Sequence, residues 1–159
     1  MEKWKQYANS IWRVPLIAVV AGFFYNSIYI KMVLRFAITE DGGINSWASL
    51  LTSAGLLAAV LALGGMLLLR KQSRKEIFIS AAVISAYGII LFLLQLLTGA
   101  TTGPAGVLFM HLGMPLRWTG FFQELSLSLK EYLGNFASVI GWLRFLAPFL
   151  FVLFGRKQV

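Results

Sequence analysis

Charged and imidazole side chains are absent from three long stretches of this chain, residues 14–30, 42–69 and 77–110. Uncharged apolar runs of about 18 or more residues have the length of a membrane-crossing helix. A fourth apolar run, GWLRFLAPFLFVLF over residues 141–154, is interrupted only by Arg144. The pattern predicts four spans, over about residues 14–38, 47–69, 77–98 and 134–154. Pro15 falls in the first turn of the first span, where its missing N–H is tolerated.

The connection between the third and fourth spans, residues 99–133, is too long to be a simple turn. Connections beyond about 12–15 residues usually carry structure or function of their own. Thr98 to Gly106 is rich in Gly and Thr and reads as a turn region. Val107 to Met114 is apolar apart from His111 and too short to cross, which suits a re-entrant or interfacial segment. Phe121, Phe122, Leu125, Leu129 and Leu133 share one helical face, which predicts a helix over 120–133 lying across the outer end of the bundle. Trp118 is expected to anchor its start at the membrane interface.

The expected fold class is therefore an all-α integral membrane protein: one four-span domain with an outer re-entrant or interfacial cap over residues 99–133. Ahead of the first span, Trp4, Tyr7 and Ile11 share a face beside Lys3 and Lys5. They predict a basic amphipathic helix over residues 1–13, lying on the membrane surface. A span as long as the others follows this segment, without a small-residue cleavage site, so a cleavable signal peptide is not expected.

Composition agrees with the pattern. Hydrophobic residues make up 58% of the chain and charged residues 13%, against about 25% charged in ordinary soluble domains. The net charge of +8 raises nucleic acid as a partner, but its distribution favours a membrane. Nine basic residues fall on one side: Lys3, Lys5, Arg13, Arg70, Lys71, Arg74, Lys75, Arg156 and Lys157. The other side holds four, Lys31, Arg35, Arg117 and Lys130, with Glu40, Asp41, Glu124 and Glu131 among them. Basic loops are retained in the cytoplasm, so both termini are expected there. The expected partners are membrane lipids, with a membrane protein or a second copy also in view, and no nucleic acid.

With no cysteine in the chain, disulfides and thiolate metal sites are excluded. His111 is the only histidine and has no partner of the usual metal-ligating types, so neither a metal nor a cofactor is expected. Gly99 to Gly106 lacks the lysine of a phosphate-binding loop. Span two carries a small-residue stripe, Gly55, Ala58, Ala62 and Gly65, expected to pack closely against other helices. The first two spans do not repeat in the last two, as an inverted-repeat transporter would require.

Arg144 is the singular feature. At 1.5 Å per residue it lies roughly 18 Å from Arg156, Asn26 lies roughly 20 Å from Arg13, and Tyr87 lies roughly 18 Å from Lys75. Three polar side chains thus share one level of a hydrocarbon core about 30 Å thick. Ala137, Gly141, Arg144 and Pro148 form one face of the last span, and Ala18, Gly22 and Asn26 one face of the first. Small residues mark packed faces, so both faces are expected to turn inward. Above that level, Ser27, Lys31 and Arg35 recur at four-residue spacing on a single stripe.

A guanidinium cannot shed its proton, and leaving it unpaired in a membrane costs at least about 2.5–3.5 kcal/mol. Arg144 can snorkel outward, pair with Glu124 or Glu131, or face a wet pocket that receives an anion. These options lead to three functional expectations. The first is an outward-facing cavity lined by Arg144, Lys31, Arg35, Asn26 and Tyr87 that binds or transports an anionic amphiphile or small anion. The second is an accessory subunit of a larger membrane complex. The third is a membrane enzyme acting on a lipid-linked substrate, with Glu124 or His111 as acid or base. It ranks last because no catalytic carboxylate pair or Ser–His arrangement is visible.

Overall fold

A computed structural model describes residues 10–156. The surface helix expected over residues 1–13 falls mostly outside the described residues. Within them the chain is helical throughout, with only two isolated bridges, Ile38 to Ile44 and Ser73 to Arg156.

Three helices, α1 (Arg13–Phe36), α2 (Ser46–Gly64, continued by a π-helical turn Gly65–Leu69) and α3 (Arg74–Thr98), are long and apolar enough to cross a membrane. A bent pair, Lys130–Phe145 and Ala147–Phe154, makes a fourth if taken as one span. Only 28–33% of each apolar window is buried within the chain. Most of that apolar surface therefore faces outward, as it does in a membrane helix and does not in a soluble core.

Local chemistry sets the helix ends. Asn45 accepts from the Trp47 and Ala48 N–H groups at 3.0 and 3.1 Å and opens α2. Ser73 and Glu76 form a reciprocal capping box at the start of α3; each donor so satisfied would otherwise be an orphan of the first turn. Gly99, at φ +61°, closes α3 in the left-handed conformation that glycine adopts without penalty.

The two ends of the bundle differ in charge. Arg156 N–H donates to the Gln72 carbonyl at 2.9 Å, and Arg74 N–H donates to Arg156 at 3.2 Å. Arg13 donates from its guanidinium to the Leu68 carbonyl at 3.2 Å. Arg13, Arg70, Lys71, Arg74 and Arg156 therefore gather at one end. The turns around Asp41, Gly99 and Glu131 lie at the other.

After α3 the chain turns back into the bundle. Helix α4 (Gly103–Leu112) descends beside α3, and the Tyr87 hydroxyl donates to the Leu112 carbonyl at 2.7 Å. A 3-10 segment, Met114–Thr119, crosses at the bottom. Helix α5 (Phe121–Ser128) then rises parallel to α1, so that Gly22 meets Met114, Tyr25 meets Gly120 and Tyr29 meets Glu124 in order. A side-chain carbon at Gly22 would collide with the Met114 carbonyl and stand 3.1 Å from Pro115 Cα. The missing Cβ is what admits the hairpin.

Two expectations are corrected here. Trp118 is not at an interface: it is fully buried, its ring 5.6 Å from that of Phe151 in the core. Insertion of Met114–Thr119 against Gly22 carries it there. The helix expected over 120–133 is split at Leu129 into α5 and α6 (Lys130–Leu133). It runs along the bundle instead of across its end, with Ser126 donating to the Ala137 carbonyl at 2.7 Å.

The last span is not a regular α-helix. Helix α7 (Ala137–Trp142) gives way to 3-10 segments Leu143–Phe145 and Ala147–Phe154, bent by 48°. Pro148 has no N–H for the carbonyl of Arg144, four residues earlier, and its ring crowds that carbonyl. A 3-10 helix rises about 2.0 Å per residue, so Arg144 stands farther from the basic end than the α-helical count of roughly 18 Å.

The small-residue stripe expected on span two packs closely at Gly65, which is buried against the Phe154 ring, but not at its other end. Gly55 and Ala58 are exposed, and a Cβ at Gly55 would meet nothing within 4 Å. The buried face carries Ser49, Thr52, Ser53 and Leu57. Thr52 and Ser53 satisfy their hydroxyls on their own helix, at the Ala48 and Leu50 carbonyls, 2.8 and 2.9 Å away.

Candidate functional site

Folding the hairpin between α1, α3 and the last span leaves a cavity of about 370 Å³ that Trp118 does not line. Asn26, Gln95, Arg117, Gln123, Glu124 and Arg144 supply most of its polar lining. They come from five parts of the chain: α1, α3, the 3-10 crossing, α5, which supplies both Gln123 and Glu124, and the last span.

Arg144 is held by aromatic faces and one amide. Its guanidinium carbon lies 4.6 Å from the Phe145 ring centre and 5.6 Å from that of Phe92. A planar, weakly hydrated guanidinium suits such a bed, and cation–π contact is worth about 0.5–2 kcal/mol. It donates one hydrogen bond, to Gln123 Oε1 at 3.3 Å. Arginine has five N–H donors, so most of its donor capacity is unclaimed by the protein.

The expected ion pair is not formed. Glu124 lines the same cavity, but Tyr29 donates to its Oε1 at 2.8 Å and Ser49 to its Oε2 at 3.2 Å. The two hydroxyls are themselves 2.7 Å apart. These hydroxyls draw the carboxylate towards α1 and α2, away from Arg144. Glu131 is exposed on α6, beyond the cavity.

The other expected residues separate. Asn26 reaches the cavity, whereas Lys31 and Arg35 stand on the exposed side of α1 and do not line it. The face of α1 that turns to the hairpin carries Tyr25 and Tyr29, whose rings stack 5.6 Å apart at 7°. Tyr87 fastens the end of α4 and is not part of the lining. His111 is exposed, its Nδ1 2.8 Å from the Val107 carbonyl. It joins no acid–base pair with Glu124.

Arg117 is the residue that sequence reasoning missed. Its place in the chain groups it with the outer-side charges, but the 3-10 crossing brings it into the cavity wall, where it donates to the Met110 carbonyl at 3.3 Å. Its flanking residues, Leu116 and Trp118, held the available signal: an arginine between two large apolar residues in a segment too short to span. Among known protein families, curated proteins and solved structures, none matches this chain.

Proposed function

We propose that this chain is a small multi-pass membrane protein that binds the anionic headgroup of an amphiphile in the Arg144 cavity. On this reading α1, α2, α3 and the bent pair each cross the bilayer. The basic end lies in the cytoplasm, in keeping with the concentration of Lys and Arg there. Helices α4 and α5 enter from the outer side as a re-entrant hairpin. Backbone of this kind is tolerated at membrane depth where protein buries it or where it lines a cavity.

One observation carries the binding reading. The cavity is walled by two guanidiniums and three amide side chains, and the single carboxylate in its lining is already held by Tyr29 and Ser49. Each guanidinium spends one of its five donors on the protein, so the two arginines bring free donors and positive charge to the cavity, which fits an anion. Four spans leave little room for a conducting path in one copy, so transport of the same ligand requires an oligomer.

The test is lipid retention. Protein extracted from membranes and analysed intact by native mass spectrometry should carry an anionic lipid, and Arg144→Gln should lose it. Retention of zwitterionic and anionic lipids in equal proportion by both proteins would refute the reading.

A further inference from the structure

Resting on the binding reading above, we infer that the cavity is selective for a doubly charged phosphate monoester, gripped by Arg117 and Arg144 together. Each guanidinium comes from a different element, and both line the same 370 Å³ space. Among the described residues each makes one long hydrogen bond, at 3.3 Å, which leaves four of the five donors of an arginine. Among the described residues, neither forms an ion pair with Glu124 that would compete with a ligand.

The neighbouring cavities give the ligand an orientation. Arg117 stands where the central space meets a second cavity of about 440 Å³, lined by Thr101, Thr102 and Gly103. Arg144 stands where it meets a third, of about 330 Å³, walled by Phe92, Trp142 and Phe145. The first also carries Val107, Phe109 and Met110, and the second also carries Gln123, Ser126 and Ser138, but of these two only the second gathers three aromatic rings. A headgroup held between the two arginines therefore has aromatic rings for an acyl chain to pack against on the Arg144 side.

Charge decides between headgroups. A phosphate monoester carries roughly −1.5 to −2 at neutral pH, and its three free oxygens accept hydrogen bonds. A phosphodiester carries one negative charge and two free oxygens, so it offsets the charge of only one of the two guanidiniums. Arginine forks bind phosphate through paired N–H···O bonds, so each arginine can take its own edge of a monoester.

The experiment uses the full chain in nanodiscs of phosphatidylcholine, with either phosphatidic acid or phosphatidylglycerol added, and affinity read by native mass spectrometry. Phosphatidic acid should bind about tenfold more tightly than phosphatidylglycerol, equivalent to about 1.4 kcal/mol. Arg117→Gln should weaken phosphatidic acid binding far more than phosphatidylglycerol binding and so remove most of that preference. Arg117→Lys, which keeps the charge and loses the fork, should retain part of the preference and guards against a folding defect. Glycerol 3-phosphate in excess identifies the source. Displacement of the lipid shows that the phosphate monoester alone is recognised, and persistence of the lipid shows that its chain contributes. Equal affinity for the two lipids would overturn this inference while leaving the anion-binding reading intact. Failure of both to exceed phosphatidylcholine would overturn the two together.

Discussion

The Arg144 guanidinium donates to Gln123 Oε1 at 3.3 Å and makes no ion pair with Glu124, the next residue on the same helix. Successive helical residues point about 100° apart. Gln123 consequently faces the last span, and Glu124 faces Tyr29 and Ser49 on α1 and α2. The arginine buried in the final apolar run is thus accommodated by Phe92, Phe145 and an amide. Its charge remains directed into a cavity.

A double-mutant cycle checks this arrangement. Arg144→Met should destabilise by about 0.5–1.5 kcal/mol, the usual worth of one hydrogen bond. Combined with Glu124→Gln, the effects should add to within about 0.5 kcal/mol, as for residues without a shared contact. Coupling above about 1 kcal/mol to Glu124, measured by thermal unfolding in lipid, would mean that the two charges pair after all.

Tyr29, Ser49 and Glu124 should behave as one unit. Tyr29→Phe and Ser49→Ala each leave Glu124 short of a donor, at a cost of about 1–3 kcal/mol. The double variant should cost less than the sum, because the second change removes a group that has already lost its network. Denaturation of the two single variants and the double variant in the same detergent gives the answer. Strict additivity would show that the three groups act separately.

Gly22 should be intolerant of any side chain. Its Cβ would enter the Met114 carbonyl, so Gly22→Leu should destabilise by at least about 1–3 kcal/mol, the usual cost of overpacking. It should also push Trp118 towards solvent or lipid. Acrylamide quenching reads that displacement, in a background where Trp4, Trp12, Trp47 and Trp142 are replaced by Phe. Gly55→Leu, where nothing stands within 4 Å, is the control and should change stability by no more than about 0.5 kcal/mol.

The orientation is tested by labelling. The chain has no cysteine, so single cysteines at Asp41 and Lys71, both exposed, report without background. An impermeant maleimide added outside intact cells should modify Asp41→Cys and spare Lys71→Cys. The reverse result would invert the proposed topology.

Apolar length and charge placement are properties of the chain read in one dimension. They were enough to identify the all-helical class, the three long helices and the apolar run that forms the bent pair. The ends of the helices were legible for a related reason: Asn45, Ser73 and Gly99 act on backbone groups only a few residues away. The placement of Arg144 inside an apolar run was also legible.

Other features depended on which parts of the chain meet. The buried face of α2 carries the hydroxyls Ser49, Thr52 and Ser53, whereas Gly55 and Ala58 of the small-residue stripe face outward. The hairpin enters because Gly22 leaves room for Met114, a fit between residues 92 positions apart. That entry buries Trp118, carries Arg117 into the cavity and presents Glu124 to two hydroxyls. The sequence determined that an arginine had to be housed inside an apolar helix. Only tertiary packing decided its neighbours, because hydrogen bonds and close contacts are settled by distances in space that spacing along the chain does not contain.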